Sequence, residues 1–204
     1  MAQLKIGRRS LLAAAGALAT SPAFGQTAGA NPRVVIQTGQ GRIVVELAQD
    51  KAPITAGNFL RYVDTGRYDG STFYRASRAG GTGAVGLIEG GLQNDPTKLL
   101  APIAHESTTQ TGLRHLDGTL SMARYAPGTA TADFFVCVGP APYLDANPNG
   151  SGDNAGFAAF GSVIEGMDVV RAILALPTTG VARNPVMQGQ ILDPPVPIVT
   201  MKRL

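Results

Sequence analysis

The stretch Asp117–Val138, DGTLSMARYAPGTATADFFVCV, decides how the rest of the chain is read. It divides into a strand, Thr119–Arg124, a loop rich in Pro, Gly, Thr and Ala, and a second strand, Phe134–Val138. Neighbouring strand residues point to opposite faces, so of the pair Phe134-Phe135 one ring enters a core and the other lies on the outer surface. A large aromatic held outward on a rigid strand makes a shallow apolar binding pocket. Alone, the pair would fit two core phenylalanines beside a bulge better. The upstream segment Tyr68–Arg75 decides between the two.

Residues 1–25 stand apart from the fold. Lys5, Arg8 and Arg9 precede the apolar run Leu11–Ala19 and the small-residue site Ala23-Phe24-Gly25, the order of a secretory signal peptide. The run is far shorter than the ~20 residues needed to span a bilayer. Arg8-Arg9 followed by Ser-Leu-Leu suggests twin-arginine export, with a Sec route as the alternative. The expected location is therefore the periplasm. The whole chain carries 17 basic and 14 acidic residues, and loss of those three leader cations leaves 14 of each. The mature chain also lacks a Lys/Arg run, so nucleic acid is not an expected partner. A membrane is not expected as one either once the leader is cleaved. The single cysteine, Cys137, excludes an internal disulfide and reads as a buried small hydrophobe.

Residues 26–32 are expected to form a disordered tail and residues 33–204 one domain, monomeric. Val34–Thr38 and Ile43–Leu47 flank Gly39-Gln40-Gly41 as a β-hairpin. From Ala52 to Val63 the apolar residues Ala52, Ala56, Phe59, Leu60 and Val63 recur at helical spacing, with Pro53 in the first turn. Tyr68–Arg75 is a turn leading into a strand, followed by a glycine-rich stretch and a long loop, Leu92–Gly112. Another loop, Gly139–Asn154, precedes a strand at Phe157–Val163, a helix at Glu165–Leu174 and a last strand at Pro195–Arg203. Short strands without βα alternation argue for an antiparallel barrel or sandwich.

Seven motifs occur in order: Lys51-Ala52-Pro53-x-Thr55-x-x-Asn58-Phe59-Leu60, Tyr68-Asp69-Gly70-x-x-Phe73-x-Arg75, Gly90-Gly91, Gly118-Thr119-Leu120-Ser121-Met122-Ala123, Phe134-Phe135, Phe160-Gly161 and Glu165-Gly166-Met167-Asp168-Val169-Val170. In this order they resemble the cyclophilin-type peptidyl-prolyl cis-trans isomerases, from about Arg33 to Leu204. The resemblance implies a closed eight-stranded antiparallel β-barrel capped by two α-helices. It also implies an isomerase acting on X-Pro segments of unfolded or partly folded exported proteins. Rotation about the X-Pro amide breaks its resonance, a barrier of about 18–20 kcal/mol, and makes no bond. No cofactor, metal or nucleophile is therefore expected.

By the same resemblance Arg75 is the catalytic residue, its donors protonated at any working pH. Outside the motif it would read as a surface arginine in a salt bridge. Phe135 is implied as the floor of the proline pocket, with Leu87, Met122 and Leu144 as walls; Met122 fits the core equally well, since its neighbours Leu120 and Ser121 leave the strand phase open. Phe73 belongs to the substrate-binding set, and the backbone of Ala123 and Arg124 is implied to bind the residues before proline. Tyr143 replaces a tryptophan found in other members, and Phe157 replaces a histidine. Three departures stand out: a longer segment after Arg75 containing Arg78–Gly83, Gly86 in place of a pocket aromatic, and Glu89 and Asp133 in place of glutamines. Either carboxylate could pair with Arg75. The expected consequence is weaker catalysis or a preference for substrates with a cation near the proline.

Gly81–Gly86 fits G-x-G-x-x-G, but Gly90-Gly91 and Pro96 follow where a helix should open, so the match reads as coincidence. His105 and His115 lie in a loop-rich region without a nearby cysteine and read as polar loop or capping residues. Two other functions compete: a noncatalytic proline-peptide binder or chaperone on the same fold, and, more remotely, an exported cofactor-binding oxidoreductase.

Overall fold

The computed structural model describes Met1, residues 31–79 and residues 83–204. The expected signal peptide beyond Met1, the expected tail up to residue 30 and residues 80–82 of the longer segment after Arg75 lie outside the described residues. Eight strands form the framework: β1 Arg33–Thr38, β2 Gly41–Leu47, β3 Ser71–Ala79, β4 Val85–Gly91, β5 Thr119–Met122, β6 Phe134–Val138, β7 Ala158–Glu165 and β8 Ile191–Arg203. They pair antiparallel and close in the order β1-β2-β7-β5-β6-β4-β3-β8. The expected barrel is present, and closure leaves no sheet edge among the described strands for another chain to pair with.

Two helices cap it, α1 Pro53–Asp64 and, after the single turn α2 Thr108–Thr111, α3 Met167–Ala175. The additional turn α2 lies in the stretch read from sequence as loop; a Ser107/Gln110 capping box opens it and left-handed Gly112 closes it. Helix α1 has Pro53 in its first turn and no capping side chain of its own. Glu106, distant in sequence, accepts from the Ile54 and Thr55 amides (3.1 and 2.7 Å) and from the Thr55 hydroxyl (2.7 Å). This carboxylate serves the unpaired N–H groups of the first turn and pins the long loop to the helix.

The core follows strand alternation. Val34 and Ile36 of β1, and Ile43, Val45 and Leu47 of β2, are buried in the barrel with Phe59, Leu60 and Val63 of α1. Phe59 packs at 5.3 Å from each of Tyr68, Phe134 and Phe160. Tyr62 is also fully buried, its hydroxyl accepting from the Leu100 amide at 2.7 Å.

Strand β4 has no counterpart in the sequence reading, because its glycines mask it. Two of them are required by close approach. An added Cβ at Gly90 would lie 2.7 Å from the Phe73 ring. Gly86 has φ +152, and a Cβ there would collide with the Ser77 carbonyl oxygen of β3. The absent pocket aromatic is thus a backbone requirement: β3 and β4 run too close at this point for any side chain.

Candidate active site

The site begins with one extra residue. The β3 register against both β4 and β8 shifts between Phe73 and Arg75, a bulge at Tyr74. Tyr74 and Arg75 consequently both reach one carboxylate, Glu89 of β4. Arg75 Nη1 donates to Glu89 Oε2 at 2.6 Å and the Tyr74 hydroxyl donates to Glu89 Oε1 at 2.9 Å. Burial, then the Glu89 charge, raises the Tyr74 pKa, so the phenol keeps its proton and remains a donor. On the other edge of the guanidinium, Arg75 Nε and Nη2 both donate to Gln190 Oε1, at 2.9 and 2.6 Å. A guanidinium carries five N–H donors, so these three bonds leave two.

Across the sheet Arg75 pairs with Glu89, and Glu89 with Phe135 of β6. The three stand abreast on one face of adjacent strands, which at about 4.8 Å per strand separates the arginine and phenylalanine backbones by roughly 10 Å. Phe134 faces inward and is fully buried in the barrel; Phe135 joins a second apolar cluster with Cys137, Ala141 and Leu144, against which Leu87, Ala123 and Phe157 pack. The opposed faces expected of the pair are present. Phe135 is itself only 3% exposed, so the partly exposed Leu87, Ala123 and Phe157 form the accessible lining around it. Phe157 meets Phe135 edge to face at 5.5 Å, and the Arg124 guanidinium lies 5.0 Å from the Phe157 ring centre.

Beneath the floor, the His115 ring stacks on Phe135 at 6.0 Å. His115 Nδ1 is 2.7 Å from Asp145 Oδ1, and Nε2 is 2.9 Å from Ser121 Oγ. Burial lowers the His115 pKa, keeping the ring neutral. Since a carboxylate only accepts, Nδ1 carries the proton and Nε2 accepts from the Ser121 hydroxyl. The pairing resembles a hydrolytic triad, but Ser121 and His115 are buried behind Phe135, and the assembly holds the floor in place.

The remaining expected site residues divide. Leu144 sits beside Phe135, while Tyr143 is 68% exposed at the rim. The Ala123 amide donates to Asp133 O at 2.9 Å. Arg124 is anchored to Asp153 (2.7 and 3.0 Å), to the Tyr125 carbonyl and to the Gly156 carbonyl, which fixes the 146–156 loop at the rim. Met122 takes the core alternative, and Phe73 is a correction. Met122 pairs with Phe134 and Ala158 and points with them into the barrel, because Leu120 and Met122 share the inward phase of β5 and leave Ser121 facing Phe135. Phe73 is fully buried, edge-on to Phe134 at 5.7 Å, and fills the space that Gly90 leaves open. Gln190 and His115 were missed as site residues. An Asn-Pro turn is the only local mark near Gln190, and His115 lay in a stretch read as loop.

The two acids take different roles. Glu89 pairs with Arg75, whereas Asp133 turns to the backbone and accepts from the Gln93 amide at 2.9 Å. Burial, partly offset by that bond, raises the Asp133 pKa to about 6 from an ordinary 3.8. The folded state thus holds this proton more tightly than the unfolded chain. The stabilisation is complete below 3.8 and lost as pH rises through about 6. Asp133→Asn, which keeps an acceptor for Gln93, is expected to gain stability relative to wild type between about pH 4.5 and about pH 7.5 in urea unfolding. An offset identical at both values would show that this carboxyl does not titrate there.

The closed barrel with helical caps, and an outward arginine beside an apolar aromatic cluster, define a cyclophilin-like protein. A family model described as cyclophilin type peptidyl-prolyl cis-trans isomerase/CLD matches residues 33–202, and the chain belongs to that family. A peptidyl-prolyl cis-trans isomerase of Acinetobacter baylyi is 37% identical over 177 residues, covering 85% of this chain and 86% of the relative. Peptidyl-prolyl cis-trans isomerase B of Escherichia coli is 38% identical over 149 residues, covering 71% and 85%. A Cryptosporidium parvum cyclophilin-type isomerase crystal structure shares the fold, with TM-score 0.64 and 21% identity over 85% of this chain and 98% of that one. The structure of that protein in the presence of the dipeptide Ala-Pro gives TM-score 0.63 and 22% identity, covering 83% and 97%.

Proposed function

We propose that Arg75, the Phe135 cluster and the rim at Ala123–Arg124 carry the peptidyl-prolyl cis-trans isomerase activity of this chain, acting on X-Pro segments of exported proteins. In the ground state the imide nitrogen shares its lone pair with the carbonyl; at right angles that resonance is lost and the nitrogen becomes a pyramidal acceptor. A donor aimed at the nitrogen therefore binds the twisted state better than the planar one, which is the condition for catalysis. The apolar cluster would hold the ring, and the rim backbone the residues before it. The observation that carries the reading is the row Arg75, Glu89, Phe135 on adjacent strands of one face.

Glu89 tempers the donor. Its carboxylate, 9% exposed in the side chain, reduces the positive potential Arg75 can present. Glu89→Gln keeps an acceptor oxygen for Arg75, turns its NH2 toward the Tyr74 hydroxyl oxygen as a donor, and removes the charge. It is expected to raise kcat/KM on an X-Pro tetrapeptide by about fivefold, the equivalent of ~1 kcal/mol. An unchanged or lower rate would overturn this role. The ion pair also keeps the noncatalytic binder in view: peptide binding without rate enhancement in the same assay favours that reading. For localisation, the leader supports export to the periplasm. A periplasmic protein beginning near Gln26 is the expected result of N-terminal sequencing, and an unprocessed cytosolic chain is the contrary one.

A further inference from the structure

We propose that Gln190 is a positioning residue for Arg75, setting the plane in which the guanidinium meets the substrate; this rests on Arg75 being the catalytic donor. Gln190 lies just before β8, next to Ile191, the β8 partner of Arg75. Each of its polar groups is engaged. Its carbonyl accepts from the Ala76 amide (2.9 Å), and its own amide donates to Met187 O (3.0 Å). Its side-chain Nε2 donates to Val186 O (3.2 Å), which turns Oε1 toward Arg75. The backbone of Gln190 is thereby tied to the residue following Arg75, and its side chain is held at both ends.

One oxygen receiving both Nε–H and Nη2–H lies in the guanidinium plane on its side edge, so it restricts rotation about the last side-chain torsions. Glu89 holds Nη1 from the opposite strand. The plane is then fixed from β4 and from the β8 approach together. An amide suits this place: it accepts both bonds without adding a second negative charge to that of Glu89, which would further weaken the donor at the substrate nitrogen. Gln190 bonds to Arg75 and to backbone groups of Ala76, Val186 and Met187, none of which belongs to the Phe135 cluster, so its contribution belongs to turnover and not to holding the proline ring.

The test measures kcat and KM by NMR exchange on an X-Pro tetrapeptide for the purified full chain and its variants. Gln190→Ala is expected to lower kcat by roughly ten- to a hundredfold with KM within about twofold, the size of effect seen when a reacting group is slightly misplaced. The Arg75 Nε–H signal, slowed in exchange by its bond to Gln190, should exchange rapidly in that variant. Gln190→Glu restores the acceptor and should restore the slow signal while kcat stays below wild type. In an Arg75→Lys background, which has neither Nε–H nor Nη2, Gln190→Ala should have no further effect; a general loosening of the loop would lower both backgrounds alike. If Arg75→Ala is inactive while Gln190→Ala keeps wild-type kcat, the positioning role is wrong and the role of Arg75 stands. If Arg75→Ala is fully active, the role of Arg75 itself is wrong.

Discussion

Arg75→Ala is expected to lower kcat/KM for X-Pro isomerisation by about 10²–10³-fold, the range found when one preorganised donor to a developing charge is removed. The loss should fall on kcat, because the donor acts on the twisted nitrogen and not on the planar ground state. The substitution also strips Glu89 of its cation, and a buried carboxylate left without its partner destabilises by up to about 3–5 kcal/mol. A rate loss from partial unfolding would imitate a catalytic one. The double variant Arg75→Ala/Glu89→Gln separates the two, since it leaves no stranded charge. If the double variant regains stability but stays slow, the catalytic role holds; if it regains the rate, Arg75 serves the fold.

Phe134→Ala is expected to destabilise the barrel by about 3–5 kcal/mol, the usual cost of emptying a fully buried phenylalanine site. For a domain of this size that lowers Tm by roughly 6–20 °C. The ring touches Phe59 at 5.3 Å, Tyr68 at 5.6 Å and Phe73 at 5.7 Å, so α1 and β3 both lose a partner. Below the lowered Tm, turnover per folded molecule should be near wild type, because the residue faces away from Arg75. Phe135→Ala should reverse the emphasis and raise KM, since that ring underlies the groove. Equal effects of the two substitutions on Tm and KM would contradict the separation of faces that β6 imposes.

Much of this was legible in the chain itself. The glycine-rich turn between β1 and β2, the opposed faces of Phe134 and Phe135 on β6, the apolar stripe of α1 with Pro53 in its first turn, and the seven ordered motifs point to the barrel and to Arg75. What escaped has physical causes. β4 was hidden because the close approaches that demand Gly86 and Gly90 erase its hydrophobic signal. The inward placement of Met122 and Phe73 depended on strand phase, which motif order does not supply. The sequence leaves the acid that meets Arg75 open between Glu89 and Asp133; geometry assigns Glu89 to Arg75 and Asp133 to a backbone amide. Gln190 stands 115 residues from Arg75, and nothing local to it hints at that contact.

That separation bears on when the protein becomes competent. The acid that quiets Arg75 lies 14 residues away, within a single hairpin, whereas the amide that aligns it arrives with the strand completing the ring. A chain still being synthesised would thus hold its arginine muted and unaimed, and could act on a proline segment only after its own final strand had docked.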